Sequence, residues 1–553
     1  MRDYGATGNG VTDDTAAIKK ALMDGKRCAE KCNGSTTKNA VVYFPPGTYL
    51  ISTTIPLPFG TQVIGDTLNR PVLKAAASFV GLGAILSTDE YTSGGKGPDG
   101  GDQQWYINTA NFYRQLRNVI IDIRAARASQ KNGCLHYQVA QATSLQNVEL
   151  IAGPTQTGMV GENGSGGQIS DVTFTGGAFG IWGGAQQFTA QRLKFSGCTV
   201  GVQVIWDWGW VWKSVVMNNV GTGFKLVPEV GSTGNIGSAT FLDSSFTGVT
   251  NVIVISPPSS TPGSGTTGLV IENVAFSGVT NAVADSSGKS LLAGGTRRVD
   301  HWALGPVYSG SATARNFSMG GKIGNFRRSS ALINDNGAYY ERPKPQYENV
   351  PVSSFLHVRD FGATGDGSTD DTDAFQTALY ASQGKILFVD AGSYILTSTV
   401  TVPTGSMIVG EAWSQLVASG PYFSDASKPQ VLLKVGQPGQ IGDVEMQDLI
   451  ITTKGPTAGA VLIEWNMRAS TKGSAGLWDC HVRIGGATGT KLTPAECPAL
   501  TTGIAQGCSA ASLMMHITPL ASGYFENMWL WVADHMIEYG TPDGPPNYPA
   551  MLC

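Results

Sequence analysis

Charge is scarce in this chain. Charged residues make up 14% of it, where a soluble domain carries about 25%. With 37 basic and 41 acidic side chains and a formal net charge of −4, there is no basic field to draw a nucleic acid or an anionic membrane surface. No apolar run reaches the length of about 18 residues that a membrane-spanning helix needs. Long Lys/Glu-rich amphipathic patterns are missing too, which excludes a helical bundle as the main architecture. There is no Gly-x-Ser-x-Gly elbow, no His-Glu-x-x-His and no phosphate-binding loop. The six histidines, at 136, 301, 357, 481, 516 and 535, are scattered without metal-ligand spacing.

What is abundant is glycine, 72 of 553 residues, about twice the usual share. Hydrophobic residues stand at 41%, enough to build cores rather than a disordered chain. Such a composition suits a turn-dense β protein, and the length predicts two or more domains.

Internal repetition organises the chain. Residues 2–22 (RDYGATGNGVTDDTAAIKKAL) and 359–379 (RDFGATGDGSTDDTDAFQTAL) agree at 14 of 21 positions. Each block reads as a turn, a short helix, and then strands (41–66 and 386–411). The Asp-Asp pairs at 13–14 and 370–371 precede the helix and read as caps rather than catalytic carboxylates. A shorter unit, polar–apolar–x–apolar, begins at Asn118, Asn147, Asp171, Arg192, Ser214, Asp243 and Asn273, and again at Asp448, Asp479 and Asn527. Short strands recurring every 20–30 residues predict a solenoid. The expected fold is therefore all-β: two tandem right-handed parallel β-helices, residues 1–333 and 359–553, joined by a proline-bearing linker at 334–358. About 195 residues follow the second opening, far fewer than follow the first, so the second helix is expected to be incomplete and the chain truncated at both ends.

Cys28 and Cys32 share one short segment and Cys497 and Cys508 another; each pair is either a loop staple or two unpaired side chains. Sequons at Asn33, Asn163 and Asn316 are compatible with secretion.

Two stretches are dense in aromatics: Trp206-Asp207-Trp208-Gly-Trp210-Val-Trp212 and Tyr524-Phe-Glu526-Asn-Met-Trp529-Leu-Trp531. Rings of this kind either fill a core or form a carbohydrate platform; alternation at period 2 places one set on a single strand face. Glycoside hydrolysis needs a carboxylic acid with a raised pKa and a held water or a nucleophile. Glu526, set among Tyr524, Phe525, Met528 and Trp529, is the first candidate acid. Glu464, in Val-Leu-Ile-Glu-Trp-Asn, is the second, and Asp479, beside Trp478, the third.

The combination of His136-Tyr-Gln138-Val-Ala-Gln141-Ala-Thr-Ser, Glu162-Asn-Gly-Ser165-Gly-Gly, Trp206-Asp-Trp-Gly-Trp210, Gly476-Leu-Trp478-Asp-Cys-His481-Val-Arg-Ile-Gly-Gly and His516 through Asn527 resembles glycoside hydrolase family 55, fungal exo-β-1,3-glucanases within the pectate-lyase-like superfamily. The resemblance spans nearly the whole chain. It implies two β-helices side by side with a cleft between them, and release of glucose from the non-reducing end of β-1,3-glucan with inversion. It implies an acid Glu from the second domain and a water held by neutral groups of the first. On this sequence those groups are Gln138, Gln141 and Ser165, with Trp206, Asp207, Trp478, Asp479, Tyr524 and Trp529 on the substrate. Amides and a hydroxyl orient water but are poor bases. No metal or cofactor is implied; the expected partner is the glucan alone, with no nucleic acid or membrane, and the protein is expected to be a secreted monomer. Family members continue beyond Tyr-Phe-Glu-Asn, and if the acid lies there Glu526 is a supporting cleft residue. The rival readings are a polysaccharide lyase, which would need calcium and a basic residue as base, and a non-catalytic sugar-binding β-helix.

Overall fold

The computed structural model describes residues 1–538 apart from 82, 97–101, 128–131, 230–234, 262, 309–315, 325–326, 412, 499, 501, 504 and 534–535. His535, Cys553 and most of the closing stretch 536–553 lie outside the described residues.

The chain forms two parallel β-helices. In the first, three ladders of short strands climb together. One runs from Ala40–Phe44 through Thr61–Gly65, Gln115–Arg117, Ser144–Ala152 and Gly167–Gly176 to Trp210–Lys213 and beyond. A second starts at Asn9–Asp13 and Thr48–Thr53, and a third at Ile55–Pro56 and Ala84–Ser87. An antiparallel hairpin, Gly268–Asp285 against Ser290–Val307, ends the stack. The second helix repeats the plan with three sheets, which end at Tyr524–Glu526, Trp529–Val532 and Leu513–Ile517.

Each helix opens with the same device. The helices Thr15–Met23 and Thr372–Ala381 close the first coil and bury Ile18 and Leu22, or Phe375 and Leu379. The Asp pairs divide their work. Asp13 and Asp370 accept the backbone N–H of Thr15 and Thr372 at 3.0 and 3.1 Å. Asp14 and Asp371 hold the N-cap positions without a side-chain cap bond. They fold back instead onto the glycine-rich turn, accepting from Thr7 and Gly8 N–H at 2.6 and 3.1 Å, or from Thr364 and Gly365 at 2.7 and 3.1 Å.

The polar–apolar repeat has a backbone cause. All ten polar positions, from Asn118 (φ 61°) to Asn273 (φ 56°) and from Asp448 (φ 58°) to Asn527 (φ 52°), are left-handed. Seven of them stand between one strand of a coil and the next, and Asn147, Asp171 and Asn273 bend the long strands Ser144–Ala152, Gly167–Gly176 and Gly268–Asp285 at the same point of the coil. Asn and Asp tolerate this region better than other side chains because they bond locally. The corners also stack: Asn147 Nδ2 donates to Asn118 Oδ1 at 2.8 Å, Asn273 Nδ2 to Asp243 Oδ1 at 2.5 Å, and Arg192 grips Asp171 with two bonds at 2.8 and 2.9 Å.

Inside, apolar side chains of successive coils lie over one another, as in the Phe174–Phe195 stack at 4.5 Å. The tryptophan run is not one strand face. The strand Val200–Asp207 ends, the chain turns at Trp208 and Gly209, and Trp210–Lys213 begins. Trp210 and Trp212 are core, stacked at 5.2 Å, while Trp208 is 66% exposed and Trp206 half-buried.

Cys28–Cys32 and Cys497–Cys508 are disulfides; Cys134, Cys198 and Cys480 are free and buried.

Candidate active site between the two helices

The corner ladders of the two helices face each other along a seam. Gln115 and Arg117 donate to Asp448 at 2.8 and 3.0 Å, Gln146 to Asp479 at 3.2 Å, and Asn527 to the Thr143 carbonyl at 3.0 Å. The segment 334–358 threads the same seam. Its Lys344 is 3% exposed and donates to Asp448 and Asp479 at 2.6 and 2.7 Å. Burial alone would raise the pKa of Asp448, but Lys344 and Arg117 outweigh it and hold the carboxyl below its ordinary range. Beside the charges, Tyr113, Trp413, Phe112 and Trp531 pack across the seam, with Tyr113 and Trp413 edge to face at 4.7 Å.

One end of the seam opens into a cavity of about 410 Å³. Thr109, Phe112, Gln141, Ser165 and Gln186 come from the first helix, and Trp529, Trp531 and Val532 from the second. The Ser165 hydroxyl donates to Gln141 Oε1 at 2.9 Å. That leaves the Gln141 NH₂ and the serine lone pairs for a ligand or a water. Close backbone approach fixes this serine. A Cβ on Gly164 would stand 2.1 Å from the Val139 carbonyl oxygen, and one on Gly166 (φ +102°) 1.5 Å from that of Gln187. The glycines of the Glu162–Gly167 motif are therefore sterically required. Among the described residues that line the cavity there is no carboxylate.

Three of the expected residues, Gln141, Ser165 and Trp529, thus meet in one cavity. The rest are placed elsewhere. Gln138 is fully buried, its amide makes a reciprocal pair with Gln104 at 2.8 and 2.9 Å, and it is not among the residues that line the cavity. Glu526 is 4% exposed. Its oxygens accept from Arg192 at 3.0 and 3.3 Å and from the Tyr524 hydroxyl. Burial raises its pKa, and Arg192 works against that rise. It is not among the residues that line the cavity. Glu464 lies on the strand Ala460–Trp465, accepts from Asn466 at 2.8 Å and also stands off the cavity. Asp207 is buried and caps the Gly237 and Ser238 amides at 2.7 and 3.3 Å, with its other oxygen unpartnered; burial lifts its pKa to about 7 against those amides. Trp478 is fully buried, with the Arg342 guanidinium 5.2 Å over its ring, and Asp479 is sealed in the seam. Tyr524 is half-buried against Trp478.

Sequence reasoning missed Phe112, Gln186 and Trp531 as lining residues. Trp531 was signalled by its period-2 spacing from Trp529, which puts both rings on one strand face. Nothing local to Phe112 or Gln186 marks them.

The model of the rhamnogalacturonase A/epimerase, pectate lyase-like family matches residues 1–225 and 355–474. A Penicillium expansum protein named non-secreted LysM effector LysM15 is 42% identical over 97% of this chain and 38% of its own length. A glucan 1,3-beta-glucosidase of Cochliobolus carbonum is 40% identical over 97% of this chain and 68% of its own. A probable glucan endo-1,3-beta-glucosidase of Arthroderma benhamiae is 36% identical over 97% and 72%. The chain thus spans about two fifths of the first of these relatives and about seven tenths of the other two. With its parallel coils, paired openings and seam, the chain belongs to the pectate-lyase-like β-helix family, in the group of the glucan 1,3-β-glucosidases, glycoside hydrolase family 55.

Proposed function

We propose that this protein acts on β-1,3-glucan, hydrolysing it from the non-reducing end with inversion and releasing glucose. The observation that carries the reading is the cavity in which Gln141 and Ser165 of one helix face Trp529 and Trp531 of the other. An amide–hydroxyl pair is suited to hold a water, and flat rings are suited to a glucosyl face. The cavity is the size of a small-ligand site, which favours a chain end over a mid-chain grip. The names of the Cochliobolus and Arthroderma relatives support the substrate class. In this reading Gln141 and Ser165 position the water, and Trp529 and Trp531 line the subsite. Glu526, locked to Arg192, supports the cavity wall, and Gln138 braces the loop below. The units 1–333 and 359–553 act together as a monomer, with 334–358 wedged between them. The two disulfides support an oxidising, extracellular setting.

One observation favours a second reading, glucan binding without turnover: no carboxylate is found among the described lining residues. Incubating the chain with laminarin and following nascent product by proton NMR separates the two. Early α-glucose supports the inverting exo-hydrolase. Early β-glucose or released oligosaccharides overturn that mode, and binding without product supports the second reading.

A further inference from the structure

The ring of Trp529 is tied to charges deep in the seam. Its Nε1–H donates to Asn527 Oδ1 at 3.1 Å. The Asn527 Nδ2 donates in turn to Asp479 Oδ1 at 2.5 Å and to the Thr143 carbonyl at 3.0 Å. Asp479 Oδ2 takes the Lys344 ammonium at 2.7 Å, and the same ammonium holds Asp448 at 2.6 Å. A carboxylate and a carbonyl only accept, so the asparagine amide can face them only with its nitrogen. Its oxygen is left pointing at the indole. The amide is thereby fixed in one orientation and polarised by the carboxylate, which strengthens its acceptor.

We infer that Lys344, from the segment joining the two helices, is a positioning residue for the cavity: through Asp479 and Asn527 it sets the rotamer of Trp529. Lys344 touches nothing in the cavity. It bridges the two carboxylates; without it Asp448 keeps Arg117, while Asp479 loses its cation and keeps the side-chain amides of Gln146 and Asn527. An Asp479 turned away from Asn527 leaves the amide held by the Thr143 carbonyl alone, so the amide loosens and the acceptor it offers the indole shifts. The ring would then be free to rotate off the wall it forms opposite Gln141 and Ser165. In this relay Asp479 acts from behind the cavity, with Asn527 and Trp529 between it and the sugar.

The assignment of a sugar to this ring rests on the glucan reading above; the relay does not, and the test separates them. The full chain, labelled with ¹⁵N-tryptophan, gives indole N–H signals from 12 tryptophans, and Trp529→Phe identifies the one from Trp529. Lys344→Met and Asn527→Gly are compared without sugar. Glycine takes φ 52° readily, so Asn527→Gly cuts the relay and spares the corner. The expected result is that the Trp529 signal moves upfield in both variants while most other indole signals stay. A Trp529 signal unmoved in Asn527→Gly, or unmoved in a folded Lys344→Met, overturns the relay. Laminaritriose is then titrated. Binding weakened about fivefold or more in both variants, in line with a lost ring contact, supports the functional part, and unchanged binding overturns it. A wild-type chain that does not bind laminaritriose overturns the glucan reading alone.

Discussion

Arg192 grips both carboxylate oxygens of Glu526, Nη2 to Oε1 at 3.0 Å and Nη1 to Oε2 at 3.3 Å, across the seam between the two helices. The same guanidinium holds Asp171 in its own helix and lies 3.7 Å from Glu341 of the joining segment. One cation therefore joins three parts of the molecule. Glu526→Gln removes one charged partner and leaves Arg192 its other two. The expected cost is about 1–3 kcal/mol of stability, read as a lower urea midpoint. Hydrolysis of laminarin, where the wild type shows it, is expected to fall several-fold and persist. Complete loss of turnover in a folded, glucan-binding Glu526→Gln protein would return the acid role to this residue.

Ser165 holds Gln141 Oε1 at 2.9 Å and has little freedom of its own. Ser165→Ala frees the glutamine amide to rotate and removes one water contact. The expected effect is a drop in kcat of about 10- to 100-fold with KM nearly unchanged, because a water is misplaced while the sugar contacts remain. A rise in KM at constant kcat would instead make Ser165 a sugar contact. Steady-state glucose release decides between them.

Asp207 gives a pH signature. Its folded pKa is raised to about 7 by burial, in spite of the Gly237 and Ser238 amides, while the unfolded value is near 4. Between those values the unfolded chain binds fewer protons at this group than the folded one. Its contribution therefore falls as pH rises from about 4 to about 7, by an amount of order 2–4 kcal/mol. Asp207→Asn is expected to flatten that part of the stability curve and to be relatively more stable at pH 8 than at pH 4. Parallel wild-type and variant curves in urea melts across this range would refute it.

Asn147 tests the corner ladder. It sits at φ 50° and donates to Asn118 Oδ1 at 2.8 Å. Asn147→Ala adds left-handed strain to a lost hydrogen bond, and should cost about 1–3 kcal/mol. Asn147→Gly loses the bond but takes the conformation freely, so it should cost less. Urea midpoints of the two variants give the order; alanine equal to or milder than glycine would show that the corner is not strained.

The sequence by itself determined the coil. A left-handed corner once per turn calls for a small polar residue, and a strand calls for alternation after it, so Asn118, Asn147, Asp171 and their successors declare the solenoid locally. The Gly-Ala-Thr-Gly turn and the Asp-Asp pair likewise carry their own partners within seven residues. The tertiary structure decided which polar groups are free. Gln138 and Gln141 are three residues apart and look alike, yet one is buried against Gln104 and the other lines the cavity. Glu526 sits in an apolar stretch that suggests an acid, yet Arg192, 334 positions away, occupies it. Trp529 owes its orientation to a lysine of the joining segment, by way of Asp479 and Asn527. Backbone conformation follows from neighbours along the chain. Exposure and charge at a site follow from what other coils bring against it, and only the seam between the two helices fixed that.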